Sequence, residues 1–353
     1  MLDHRRARLA ASALCLTLAG SGAAVTVGGA RAAVARAPIA TATQAGAVTW
    51  TGLRHLTRVI DLAGPNAQGT IVAIANGRLD ALTSSGSIHR FAPGYSVSAG
   101  LEVYITMSSG QHVSGAGCSW PAGDLYALDL SSTPGVSVVT PQGSVSHLAS
   151  LPTQTGLENG ITFDTTGRFG HRLLITSTIS LKTTSVYAIS CNGQVQVLTR
   201  HGPRVEGGMV VAPPGFGRFG GDLLAADEYS GNLYAFAPDG RASVVVHTNI
   251  PTGRDTGIEG LGVVPATYAQ ALVSDRSYPP DRSHPGDNLI LHVTQAALSA
   301  AGVRPGEVLA VAEAGARTAV ISCGATACHA RDIGHGPHAA HVEGHVAFSN
   351  ANL

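Results

Sequence analysis

Four glutamates recur in one local setting. Leu157-Glu158-Asn159-Gly160, Val205-Glu206-Gly207-Gly208, Ile258-Glu259-Gly260-Leu261 and Val342-Glu343-Gly344-His345 each place a branched apolar residue before the acid and Asn or Gly after it. A β-rich run follows each, such as Ile161-Thr162-Phe163 or Met209-Val210-Val211. If the four units are copies of one structural element, their carboxylates meet around one axis. Carboxylates so placed repel each other and lose hydration. Two remedies exist. A hard cation neutralises them, calcium taking six to eight oxygen ligands. Alternatively each acid accepts backbone N–H groups or pairs with arginine, and the repeat is then purely architectural. Asn159, Asp227 and Asp275 add oxygen donors near the heads or ends of adjacent strands. With Glu158, Glu206, Glu259 and Glu343 they form the expected metal ligand set, and Ca2+ is the expected ion.

A second concentration of chemistry lies near the C-terminus, in His329, His335, His338, His341 and His345, with Glu343 among them. On a strand, His341, Glu343 and His345 would share one face and suit a transition metal; solvated loop histidines are the plainer alternative. His284 falls in a loop between strands, where binding residues concentrate. No Gly-x-Ser-x-Gly elbow is present, and no phosphate-binding glycine fingerprint stands in a helical setting.

The elements that must position these groups are short strands. Thr70–Ala75 and Arg78–Thr83 are separated by Asn76-Gly77, the strongest short hairpin signal. Two later units align almost element by element. Gly167-Arg168-Phe169-Gly170 matches Gly217-Arg218-Phe219-Gly220, and Val186-Tyr187-Ala188-Ile189 matches Leu233-Tyr234-Ala235-Phe236. Glu158 and Glu206 are 48 residues apart. Four strands in such a span make a blade of a β-propeller. Leading strands near 102, 158, 206, 259, 307 and 343 predict a six-bladed β-propeller; five or seven blades stay open, because 84 residues separate Glu259 from Glu343. The run Gly306–Glu313 reads either as a second strand, like Gly221–Glu228, or as an inner strand headed by Glu307. The last strand, Val342–Ser349, is expected to share a blade with N-terminal strands near 70–92, closing the ring and hiding its edges.

Composition agrees. Of 353 residues, 44 are glycine, 5% are aromatic and 12% charged, which suits many strands joined by tight turns. Formal net charge is zero, and no basic footprint for nucleic acid is visible. Residues 1–37 read as an export signal: basic His4–Arg8, apolar Leu9–Val27, then small-x-small sites at Ala30-Arg31-Ala32 and Ala35-Arg36-Ala37. Residues 38–68 read as linker and first strand, and 69–353 as the propeller. The expected mature protein is secreted, monomeric and free of membrane, with a small-molecule or extracellular ligand at the channel mouth. Cys118, Cys191, Cys323 and Cys328 form an even set, which in an exported chain suggests disulfides. Cys323 and Cys328 would clip one hairpin; Cys118 and Cys191 would then join neighbouring repeats.

The Glu-Gly strand heads, the blade length and the export signal resemble the calcium-dependent six-bladed propellers of the gluconolactonase, regucalcin and strictosidine-synthase-like group, with the related NHL-type propellers. That resemblance spans about residues 100–350. It implies one divalent metal in the channel, held by a Glu of an inner Glu-Gly strand, an Asn and an Asp, and a metal-dependent hydrolysis of lactones or esters. The group's Glu-Gly-Pro is absent, its place taken by Glu-Gly-Gly, Glu-Gly-Leu and Glu-Gly-His. The alternative is a non-catalytic extracellular propeller that binds a ligand or a protein.

Overall fold

The computed structural model describes residues 47–152, 156–179 and 182–353; the expected export signal lies outside them. Strands dominate, and one short helix, Gln295–Ala300, is the sole α-helix among the described residues. The strands form six four-stranded antiparallel blades. Blade 1 runs Val59–Ala63, Ile71–Ala75, Arg78–Leu82 and Ile88–Arg90. Blade 2 runs Ile105–Met107, Leu125–Asp129, Gly135–Val139 and Val145–Ser150. Blade 3 comprises Leu157–Phe163, Leu173–Ile179, Thr183–Ile189 and Val195–Pro203. Blade 4 comprises Glu206–Val211, Leu223–Asp227, Asn232–Phe236 and Ala242–His247. The Asn76-Gly77 hairpin forms as expected, both residues taking positive φ (48° and 71°), as a type I′ turn demands.

Blades 5 and 6 are interleaved. The inner strand of blade 5, Ile258–Val263, pairs with Val308–Ala312, followed by Thr318–Cys323 and Cys328–His335. The hairpin between the first two closes normally, Val264 N donating to Glu307 O and Gly306 N to Val264 O. Within that turn is inserted a segment carrying Gln270–Asp275 and Leu289–Thr294, the two middle strands of blade 6. Val342–Ser349 supplies the inner strand of blade 6 and Thr51–His55 its outer one. The insertion explains why Glu259 and Glu343 are too far apart for one blade. A single parallel pairing, Leu261 with His345, joins the two inner strands.

The six inner strands touch in cyclic order, blade 1 to blade 6 and back, so the sheets close into a ring. The two chain ends do share a blade, but the N-terminal partner is Thr51–His55 rather than the strands near 70–92. Val48–Thr49 also adds a parallel fifth strand to blade 5, and the Trp50 indole N–H donates to Thr318 at 2.7 Å. Among the described residues, propeller strands therefore begin at Val48, ahead of the boundary expected at 69. Glu307 heads no inner strand. It closes the turn into a second strand, accepting from Arg304 N, and the sixth inner strand is instead Val59–Ala63.

Packing between blades is apolar. Trp120, Tyr126 and Phe163 meet edge to face at centroid distances of 5.0–5.1 Å, tying blade 2 to blade 3, each pair worth about 0.5–1.5 kcal/mol beyond area burial. Cys118 and Cys191 are bonded across the same seam, and Cys323 and Cys328 clip the outer hairpin of blade 5. No helix among the described residues is long and apolar enough to cross a membrane.

Candidate functional site

The inner strands share a local irregularity that aims their acids. Register shifts fall at Val59/Asp61, Glu158/Gly160, Glu206/Val210 and Ile258/Gly260, and a bulge re-aims the side chain at its position. Glycine next to the acid is a packing requirement. A Cβ on Gly207 (φ +83°) would collide with Glu259 of the next blade, and one on Gly344 (φ +71°) with Asp61. Neighbouring strand heads can approach this closely only without side chains.

Inner and second strands run antiparallel, so the start of one and the end of the other meet at the same mouth. Glu206, Glu259 and Glu343 come from inner strands; Glu228, Arg276 and Glu313 immediately follow second strands. Together with Glu102, Arg204 and Tyr278 they line a cavity of about 250 Å³. Two trios stand out. Ligand atoms of Glu206, Glu228 and Glu259 lie within 4.8 Å of one another, as do those of Glu313, His341 and Glu343. The Tyr104 hydroxyl joins them, donating to Glu343 at 2.9 Å and reaching Glu259 at 3.4 Å.

Two arginines and a histidine offset part of the charge. Arg204 reaches Asp227 and Glu228, each at 2.7 Å, and also Glu206. Arg276 reaches Glu102 at 2.6 Å and Glu343 at 3.0 Å. His341 lies 2.7 Å from Glu313 and 3.6 Å from Glu343. The compensation is uneven. Burial, with Glu228 beside it, pushes Glu206 up to about 8. Burial pushes Glu228 up to about 6 and Glu313 up to about 8, against the pull of Arg204 and His341 respectively. Glu259 is fully buried and stands well above the usual carboxylate range. Burial acts on Glu343 too, but Arg276, His341 and Tyr104 outweigh it and hold this acid low. Burial opposes charge on His341, yet Glu313 and Glu343 prevail and raise it to about 10.

Of the expected ligand set, the structure gathers Glu206, Glu259 and Glu343 at the mouth. Asp227 borders it, held by Arg204 and by its own turn, Tyr229 N and Ser230 Oγ. Glu158 is buried at the head of blade 3 but does not line the cavity. Asn159 bridges blades, its amide donating to Thr178 and to the Val205 carbonyl. Asp275 accepts from the backbone of His341 and Asp287 and is pushed by burial to about 6. The Asn159 amide nitrogen and the Asp275 carboxylate are thus engaged by the scaffold, whereas Asn159 Oδ1 is buried without a hydrogen-bond partner among the described residues.

The expected histidine face divides. His341 meets Glu343, whereas His345 turns to Asp61. Asp61 is fully buried in blade 1 and accepts from Ile105 N (2.7 Å), Leu62 N (2.8 Å), His345 N (2.6 Å) and His345 Nδ1 (3.0 Å). It latches blades 1, 2 and 6. Glu102, Tyr104, Arg204, Glu228, Arg276 and Glu313 were not among the expected site residues, whereas His341 was expected beside Glu343. The likeness of Gly306–Glu313 to Gly221–Glu228 carried the signal for two of them, since it pairs Glu228 with Glu313.

No protein-family model matches the chain, and no curated protein sequence matches it. Several solved structures are similar in architecture. Regucalcin from Agrobacterium tumefaciens, described as a calcium-binding protein, aligns over 81% of this chain and 79% of its own with 12% identity and a TM-score of 0.47. A chain of a nidogen/laminin complex aligns over 83% and 86% with 10% identity and a TM-score of 0.48. Virginiamycin B lyase from Staphylococcus aureus aligns over 84% and 75% with 11% identity and a TM-score of 0.42. These are likenesses of fold between distant sequences.

Proposed function

We propose that the channel mouth binds a hard divalent cation, Ca2+, and with it a small carbonyl-bearing ligand whose ester or lactone bond is hydrolysed. One observation carries this reading: the carboxylates of Glu206, Glu228 and Glu259 lie within 4.8 Å of one another, with a single arginine, Arg204, in direct contact with the set. An all-oxygen donor set of high negative charge suits calcium. The raised proton affinity of these acids fits the same account, because buried carboxylates short of positive charge take up either protons or a cation. When bound, the ion would polarise a carbonyl oxygen. The chain supplies the rest. Arg254 and Tyr229, both well exposed beside the cavity, face an incoming ligand. The Tyr104 hydroxyl holds Glu343 and Glu259 in place. A cavity of about 250 Å³ admits a small ligand only. Two disulfides favour an oxidising compartment outside the cytoplasm.

The second reading is a binding propeller without turnover. The ion pairs of Arg204 and Arg276 favour it, since a carboxylate already matched by arginine needs no metal. Calcium titration of metal-stripped protein by calorimetry, followed by a panel of lactones and esters with and without chelator, separates the two. Hydrolysis requires Ca2+-dependent turnover that falls with Glu206→Gln or Glu259→Gln. Calcium binding without turnover supports the binding module, and no calcium binding at all overturns the metal reading.

A further inference from the structure

The second trio differs in its chemistry from the first. We propose that Glu313, His341 and Glu343 form a separate site for a borderline transition-metal ion, Zn2+, which clamps the interleaved blades 5 and 6. His341 is fully buried, and its Nδ1 lies 3.0 Å from the carbonyl oxygen of His284. That contact makes Nδ1 a donor and leaves Nε2 as the nitrogen that faces Glu313 and Glu343. Metal-binding histidines are oriented in this way, by a carbonyl or carboxylate on the nitrogen that does not ligate. Nε2 lies 2.7 Å from Glu313 Oε1 and 3.6 Å from Glu343 Oε1, an ion pair whose proton a bound metal ion would replace. One imidazole and two carboxylates suit zinc and its neighbours rather than calcium.

The supports are rigid. His341 N donates to Asp275 at 2.9 Å, Arg276 N donates to His341 O, and Val342 N donates to Glu313 O. Tyr104 donates to Glu343 Oε2 and Arg276 pairs with Oε1, the oxygen nearer His341, and the Tyr278 ring packs 5.0 Å from the imidazole. Glu313 follows the second strand of blade 5; His341 and Glu343 belong to the head of the inner strand of blade 6. An ion bound to all three ties together the two blades that the insertion has interlaced. The site stands independently of calcium at Glu206, Glu228 and Glu259.

The test is Zn2+ calorimetry on metal-stripped, full-length protein in saturating Ca2+. Wild type is expected to bind one equivalent of Zn2+. His341→Ala and Glu313→Gln are expected to weaken it by about 100-fold or more, the upper range for disturbing a metal-site residue, while Glu206→Gln keeps Zn2+ affinity within about threefold, a difference of about 0.6 kcal/mol. Visible absorption of Co2+-loaded wild type gives a readout that needs no variant to fold, a bound imidazole nitrogen being expected in its spectrum. Absence of stoichiometric Zn2+ binding to wild type overturns the proposal. So does undiminished binding to His341→Ala, or loss of Zn2+ binding in Glu206→Gln equal to that in His341→Ala.

Discussion

Replacing Arg204 by methionine probes the mouth most directly. The guanidinium contacts three buried or half-buried acids, Glu206, Asp227 and Glu228, and lies 4.0 Å from the centroid of the Tyr229 ring. Methionine keeps the apolar stem and deletes the charge. Removing one partner of a buried ion cluster costs about 3–5 kcal/mol, because the remaining charges are left uncompensated. The cost depends on pH, and its sign follows from the two glutamates. Burial raises Glu206 from 4.5 to about 8 and Glu228 from 4.5 to about 6 even with Arg204 present; without it they rise further. A raised native value stabilises the fold below the unfolded value, and that contribution disappears as pH climbs through the folded one. At pH 5 both glutamates carry protons in the variant, and the loss shrinks to the Asp227 ion pair and the stacking on exposed Tyr229, the latter about 0.5–1 kcal/mol. At pH 8 the loss is larger, up to about 3–5 kcal/mol, carried mainly by Glu228, which is ionised there in wild type. Urea denaturation of wild type and variant at the two pH values measures the difference, and Ca2+ at pH 8 should restore part of it. Equal destabilisation at pH 5 and pH 8 would show that Arg204 acts through packing alone and would refute the electrostatic reasoning.

Two further outcomes concern the ring itself. Asp61→Asn places an amide against backbone and imidazole donors that now point at a carboxylate, and should cost about 3–5 kcal/mol in urea unfolding; a loss under about 1 kcal/mol would mean the latch joining blades 1, 2 and 6 contributes little. The two disulfides close loops of very different length, with separations of 73 and 5 residues. By loop entropy, the double serine variant of Cys118 and Cys191 should lose about 4 kcal/mol and that of Cys323 and Cys328 about 2 kcal/mol, as read from denaturant midpoints; the reverse order would contradict the entropic account.

Local physics made much of the ring legible in advance. Asn76-Gly77 specifies its hairpin through backbone conformation alone, and the matched Gly-Arg-Phe-Gly turns of blades 3 and 4 betray a repeat because both must reverse the chain at the same place. Glu206, Glu259 and Glu343 were visible for the same reason, as repeated acids at repeated strand heads. What escaped depends on contacts distant in sequence. Asp61 sits in Val59–Ala63, an inner strand whose apolar neighbours read as a linker until blades 2 and 6 close around it. Arg276 reaches the mouth only because an insertion carries Gln270–Asp275 out of its own blade and into the next. Periodicity registers that insertion as an awkward spacing and nothing more.

The interlacing also sets an order of events for a chain made from its N-terminus. Blades 1 to 4 are built of consecutive strands, and each can assemble once its own segment has emerged. The fifth and sixth cannot finish separately, and the sixth waits for Val342–Ser349 to fill the place reserved along Gln270–Asp275. A premature stop before Val342 would therefore remove far more than one strand. It would leave a gap in the circle, release Asp61 from its histidine, strip the mouth of Glu343, and present two raw sheet edges to any neighbouring molecule.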